Sequence, residues 1–302
     1  MASVSLSLRG AFTALVTPFT RAGESIDWAA FDALVEAQIA GGIAGLIPCG
    51  TTGESPTLDD DEQAALIKRT VDVAKGRVPV VAGTGSFSTK KTIAATERAL
   101  AAGAAGVMVV MPYYSKPSQE GLFRHLSAVA RGAAGAPVVL YNVPGRTQSD
   151  LDVETTLRVL EASPNVVGLK DASGNVLRCQ ELKRRAGDRV TVLSGDDALT
   201  VPMMAVGAEG VISVTSNVYP AEVARVTAHA LAGRWAEARA EHFRLLPVHE
   251  IMFAEPNPAP AKAALARLNR MEATLRLPLV EASGPVRERL AAVLDRFERA
   301  TA

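Results

Sequence analysis

The chain predicts an α/β protein, a (β/α)8 TIM barrel with a C-terminal helical extension. Eight short apolar segments, rich in β-branched residues, recur through its first 219 residues, and stretches of helical periodicity separate them. Strands buried on both faces read as continuous apolar runs and need crossover helices, so this alternation indicates a parallel sheet. Eight such units over about 220 residues match a closed barrel better than an open sheet. The expected division is a barrel carrying the active site over 1–219 and a helical region packed on it over 220–302.

In order, the strand segments are AFTALVT (11–17), IAGLIPCG (43–50), VPVVAGTG (78–85), GVMVVMP (106–112), APVVLYN (136–142), VVGLKD (166–171), VTVLSG (190–195) and GVISVTS (210–216). WAAFDALVEAQIAGG (28–42) and EQAALIKRTVDVAKG (62–76) exemplify the helices between them. Their apolar residues recur every three or four positions, and they end at glycine, as helices often do. After the eighth strand the pattern is helix alone. Residues 220–246 are alanine-rich and amphipathic, EPNPAPAK (255–262) interrupts, and helical periodicity resumes over 263–300. No linker-like composition precedes this tail, so independent folding is not expected.

Bulk composition excludes several classes. With 48% hydrophobic and 21% charged residues among 302, the chain is long enough for a large core. Thirty-two basic residues balance thirty-two acidic ones, so no global field favours nucleic acid or an anionic membrane. Cys49 and Cys179 are the two cysteines, with no CxxC and no metal-type spacing, which argues against a disulfide framework or zinc site and fits a reducing cytoplasm. MASVSLSLRG lacks the charged leader and apolar stretch of a signal peptide, and no run reaches a membrane span. A cytoplasmic protein is expected.

In such barrels the active site forms where the C-terminal strand ends and following loops converge. Those positions hold GTTGES (50–55), PYY (112–114), YNVPGRT (141–147), Lys170 and SGDD (194–197). Of eight lysines, only Lys170 ends a predicted strand. Its stem can snorkel while the ammonium stays in water. Alternatively, partial withdrawal from water lowers its pKa and frees the amine to attack a ketone. GTTGES lacks the GxxxxGK[ST] pattern of a phosphate loop. It offers backbone N–H groups and the hydroxyls of Thr51 and Thr52, suited to a carboxylate, although glycine-rich turns after strands are also ordinary connectors.

Tyr141 closes strand five beside Lys170 and is either a proton relay or a packed aromatic; Tyr113 and Tyr114 present the same choice. Arg146 in its Pro-Gly turn offers a bidentate fork for a carboxylate or is a solvated loop charge. His125, His229, His242 and His249 lie away from strand ends, which argues against a histidine-based triad or metal centre. Lys262 in PAPAKAAL has apolar neighbours but falls in the tail, away from the strand-end cluster. The inventory favours amine chemistry with no metal and no organic cofactor.

With GTTGES, YNVPGRT and GLKD in matching order and spacing, the chain resembles the pyruvate-dependent class I aldolase family that includes dihydrodipicolinate synthase and N-acetylneuraminate lyase. The likeness runs from AFTALVTPF (11–19) through SGDD and GVISVTSN to EPNPAPAK. It implies that Lys170 forms a Schiff base with pyruvate while Tyr141 and Thr51 relay protons. Tyr114 would be the third relay member, reaching into a neighbouring subunit's site, which implies a homo-oligomer, typically a tetramer of two tight dimers. Thr51 and Thr52 would hold pyruvate's carboxylate, Gly195 and Ile212 would line the pocket, and Arg146 would receive the carboxylate of the second substrate.

An arginine after YNVP sides with the synthase branch, whose second substrate is L-aspartate 4-semialdehyde and whose product feeds lysine and diaminopimelate biosynthesis. A sugar-acid or hydroxyketoglutarate aldolase is the alternative, and a barrel that binds a keto acid without catalysis is a third reading. Lysine-inhibited members carry histidines after the GTTGES turn and an asparagine and a glutamate after the GTG turn. Here Asp60, Gln63, Phe87 and Lys91 stand there, so weak or absent inhibition by L-lysine is expected.

Overall fold

The computed structural model describes residues 6–300. Eight parallel strands, β1 (Gly10–Ala14), β2 (Gly45–Ile47), β3 (Val81–Gly83), β4 (Gly106–Val110), β5 (Val138–Asn142), β6 (Val166–Asp171), β7 (Thr191–Ser194) and β8 (Gly210–Ser213), run in the order β2-β1-β8-β7-β6-β5-β4-β3. The two end strands meet through a parallel bridge between Leu46 and Val80, with Leu46 N–H donating to Pro79 at 3.0 Å and Gly83 N–H to Pro48 at 2.9 Å. The sheet is therefore a nearly closed (β/α)8 barrel. A glycine is required at this seam, because a Cβ on Gly83 would stand 2.2 Å from the Cys49 carbonyl oxygen.

The helices are α1 (Trp28–Ala40), α2 (Asp60–Ala74), α3 (Thr89–Ala101), α4 (Gln119–Gly132), α5 (Pro144–Thr147), α6 (Val153–Ala162), α7 (Val176–Ala186), α8 (Thr200–Ala205), α9 (Pro220–Leu231), α10 (Trp235–Ile251), α11 (Ala259–Arg267) and α12 (Gly284–Arg299). Local chemistry starts many of them: Asp27, Ser88, Ser118, Asp152, Asn175 and Ser283 each accept from an N-terminal backbone N–H, and Asp59 with Glu62 closes a capping box before α2.

The tail departs from the sequence expectation in detail. Helical periodicity over 263–300 resolves into α11 and α12, separated by the irregular segment 268–283, in which Pro278 supplies no backbone donor. Helix α11 also begins inside the expected interruption, since proline is tolerated in a helix's first turn. Helix α9 packs on β1, α1 and α8, the place of the helix that follows β8 in a barrel. Helix α12 packs on both α10 and α11, and Ala259, Leu265 and Leu290 share one core with Leu15, Leu46 and Leu169.

Strand alternation divides that outer core from an inner one formed by Phe12, Ile47, Val81, Met108, Val139, Tyr141, Leu193 and Ile212. Leu169 points outward to the helices, so its neighbour Lys170 points inward. The interior is filled with side chains up to the strand ends, and polar groups begin there.

Candidate active site

Lys170 and Tyr141 are register partners on β6 and β5. Parallel register places both on the inner face, and Lys170 Nζ stands 4.2 Å from the centroid of the Tyr141 ring. Lys170 is 4% exposed and Tyr141 5%. Among the described residues no carboxylate lies within ion-pairing distance of this amine, although charged side chains so buried are usually paired. Asp171, next in β6, turns the other way: its Oδ1 accepts from Ser173 N–H at 2.9 Å, and burial raises its carboxyl above the usual range.

The turn after β2 presents Thr51 and Thr52. Its flanking residues Cys49 and Glu54 both have left-handed backbone, φ 57° and 56°, a conformation that costs free energy for a residue with a side chain. The N–H groups of Gly53, Glu54 and Ser55 bond within the turn, whereas those of Thr51 and Thr52 meet no protein acceptor among the described residues. Thr17 Oγ1 holds the turn from β1 by donating to the Gly53 carbonyl at 2.7 Å.

The tail holds it from the other side, and here the expectation for Lys262 is corrected. Far from lying away from the strand ends, Lys262 folds back against the β2 turn and donates to Glu54 Oε1 at 2.5 Å, both side chains having no solvent exposure. It also donates to the Thr274 carbonyl at 2.8 Å and sits 4.3 Å from the Phe19 ring centroid. Arg276 N–H donates to Glu54 Oε2 at 3.1 Å. Burial lowers the Lys262 amine to about 8, against the opposing pull of Glu54. Asn257 Nδ2 donates to Thr52 Oγ1 at 3.0 Å. Sequence reasoning missed Glu54, Asn257 and Arg276; two of them lie inside the quoted GTTGES and EPNPAPAK motifs, which was the available signal.

Thr51, Val143, Tyr113 and Arg146 line one cavity of about 790 Å³. Arg146 lies in the short helix α5 after β5, exposed, with no carboxylate partner among the described residues. Asp60, Gln63 and Lys91 line the same cavity, while Phe87 meets Tyr113 edge-on at 5.5 Å. Gly195 follows β7, the strand beside Lys170's, and Ile212 lies next to last in β8, one strand further round: Gly195 N–H donates to Asp171 O at 2.7 Å, and a Cβ there would lie 2.6 Å from that of Ala172. Tyr114 does not join this group. It is 93% exposed with φ 73°, while Tyr113 faces the cavity.

Asp197, three buried histidines and both cysteines serve packing. Asp197 accepts from Ser213 Oγ and from Val214 N–H at 2.9 Å and Thr215 N–H at 3.2 Å, fixing the turn after β8. His249 shares a 2.9 Å hydrogen bond with Thr215 Oγ1. Burial lowers the pKa of His242 and His249, and takes His125 to about 4. Burial likewise lifts the Cys49 and Cys179 thiols to about 12 and about 11, leaving both inert as nucleophiles.

An amine near the end of an inner strand, a phenol against it, a turn with two free N–H groups and, among the described residues, an arginine without a carboxylate partner converge at one mouth of a (β/α)8 barrel. The chain belongs to the dihydrodipicolinate synthetase family, whose model matches residues 7–297. It is 67% identical over 293 residues to the 4-hydroxy-tetrahydrodipicolinate synthase of Sorangium cellulosum, covering 97% of both chains. Among solved structures it is similar to the 4-hydroxy-tetrahydrodipicolinate synthase of Methylacidiphilum fumariolicum SolV, with TM-score 0.95, 42% identity and 97% of each chain covered. The dihydrodipicolinate synthase of Acinetobacter baumannii, solved with pyruvate, has TM-score 0.94 and 39% identity over 97% of this chain and 99% of that one.

Proposed function

We propose that this chain is a Schiff-base lyase that condenses pyruvate with L-aspartate 4-semialdehyde to 4-hydroxy-tetrahydrodipicolinate, on the route to lysine and diaminopimelate. The Sorangium cellulosum relative at 67% identity, a 4-hydroxy-tetrahydrodipicolinate synthase, favours this reading over a sugar-acid or hydroxyketoglutarate aldolase. The observation that carries the chemistry is the buried Lys170 amine, without a carboxylate partner among the described residues and 4.2 Å from the Tyr141 ring.

In the proposed reaction the neutral amine adds to the ketone carbon of pyruvate, and Tyr141 and Thr51 pass the proton that lets water leave. The iminium takes up the electron pair left when a methyl proton departs. The resulting enamine carbon adds to the aldehyde, whose oxygen is protonated to a hydroxyl. The new substrate's amine then displaces Lys170 by transimination and closes the ring. The lysine itself is the electron sink, so no organic cofactor enters the scheme.

The N–H groups and hydroxyls of Thr51 and Thr52 hold the keto acid's carboxylate, Gly195 and Ile212 line the pocket, and Arg146 takes the carboxylate of the semialdehyde. Tyr114 serves a neighbouring subunit's site in a tetramer of two tight dimers; its exposed ring and left-handed backbone fit a residue ordered by a partner. The paucity of cysteine supports a cytoplasmic setting. Borohydride reduction with pyruvate, followed by peptide mapping of wild type and Lys170→Ala, tests the core of the reading. A pyruvyl adduct on Lys170 is expected, and a label on Lys262 or on no residue refutes it.

A further inference from the structure

We propose that Asn257, contributed by the tail, is a positioning residue: its amide donates to Thr52 Oγ1 and so directs the one Thr52 hydroxyl proton toward the keto acid's carboxylate. The inference rests on the reading of Thr51 and Thr52 as the carboxylate seat and deepens it.

A threonine hydroxyl has one proton and two lone pairs. With Asn257 Nδ2 at 3.0 Å occupying one lone pair, the proton is left for another acceptor. Among the described residues Thr52 Oγ1 donates to no protein atom, although Thr52 is only 2% exposed. A buried donor without a protein acceptor points to a ligand that accepts, and a carboxylate is such a ligand. Asn257 itself carries a buried Oδ1 that finds no partner among the described residues, a desolvation cost that packing alone does not explain. The segment that presents Asn257 is fixed by the Lys262 to Glu54 pair and by the Arg276 N–H bond to the same carboxylate. The turn's hydroxyl is therefore oriented from outside the barrel, by a residue 205 positions away.

The test is steady-state kinetics of full-length N257A, N257D, T52V and N257A/T52V against pyruvate at saturating semialdehyde, with borohydride trapping of wild type as the control. N257A is expected to raise the pyruvate KM about tenfold while leaving the semialdehyde KM within about twofold. N257D, which accepts and cannot donate, draws the Thr52 proton to itself and raises the pyruvate KM further. In the T52V background, N257A should add less than about a twofold change, because the group it orients is gone. Wild-type pyruvate KM in N257D, or full additivity of N257A and T52V, overturns the proposal while leaving the Schiff-base reading intact. Failure of wild type to trap pyruvate on Lys170 overturns both. If N257A melts below the assay temperature, the Asn257 side-chain amide resonances of wild type decide: a shift on adding pyruvate supports the proposal, and none overturns it.

Discussion

Lys262→Met isolates what the buried pair under the β2 turn contributes. The substitution keeps the stem's volume and removes the ammonium, leaving the Glu54 carboxylate with the Arg276 N–H as its remaining donor and no exposure to water. Removing one partner of a buried pair costs about 3–5 kcal/mol, because the other charge stays desolvated. Unfolding entropy near 2.1 cal/mol/K per residue gives about 0.6 kcal/mol/K for 302 residues. The expected fall in Tm is therefore about 5–8 °C, at fixed protein concentration and pH 7. The double variant K262M/E54Q should recover most of it, since the neutral amide still accepts from Arg276 and no charge is buried. Thermal melts by circular dichroism of wild type, both single variants and the double give the coupling directly. A loss below about 1 kcal/mol in K262M, or simple additivity in the double, would refute the reasoning, because an uncompensated buried charge allows neither.

Arg146→Ala should lower kcat/KM for the semialdehyde about ten- to a hundredfold, the worth of a charged hydrogen bond, without slowing borohydride trapping of pyruvate; equal loss in both assays would mean that Arg146 supports the fold. For His125, 6% exposed, burial lowers the folded pKa to about 4 from an ordinary 6.5. Its contribution is fully present above pH 6.5 and is lost as pH falls toward 4, because only the unfolded chain takes up the proton; the loss is up to about 3 kcal/mol. Melts from pH 7.5 to 4.5 should show a shallower decline in H125N than in wild type, and parallel declines would count against it. L-lysine should inhibit weakly or not at all: Lys91 lines the cavity and Arg98 pairs with Asp60 at 2.8 Å, so an incoming ammonium meets cations there. A sub-millimolar inhibition constant would contradict this.

Repetition made the barrel legible. Eight apolar runs separated by helical periodicity admit few folds, and the strand-end positions of Lys170 in VVGLKD and Tyr141 in VVLYN already put both at the barrel's C-terminal mouth; that they share the inner face rests on the register between β5 and β6. What the sequence hid is contact between remote segments. Nothing in PAPAKAAL reveals that Lys262 lies under a turn 208 residues earlier, since an apolar neighbourhood reads equally as tail packing. Asn257 was hidden for the same reason. The helical pattern over 263–300 misled because it records apolar spacing, and the irregular segment 268–283 also places Met271 and Leu275 against the core without a helix. A proton relay was harder still to read, because PYY presents two adjacent tyrosines and only backbone geometry separates them: Tyr113 faces the cavity and Tyr114 the solvent.

That separation leads to a sharp test of subunit exchange. Tyr114 holds a left-handed backbone at φ 73° with its ring 93% exposed, two costs that a lone subunit does not repay. If its hydroxyl completes a neighbour's relay, two differently damaged subunits should repair each other. K170A lacks the nucleophile and keeps Tyr114; Y114F keeps the nucleophile and lacks the hydroxyl. Random reassociation of equal amounts makes half the tight dimers mixed, and each mixed dimer contains one site with both groups intact, so activity should return to about a quarter of wild type. If Tyr114 serves the site of its own chain, every site in the mixture carries one lesion, and mixing adds nothing to the mean of the two parents. Activity after mild dissociation and reassociation, compared with the same proteins mixed without dissociation, separates these outcomes.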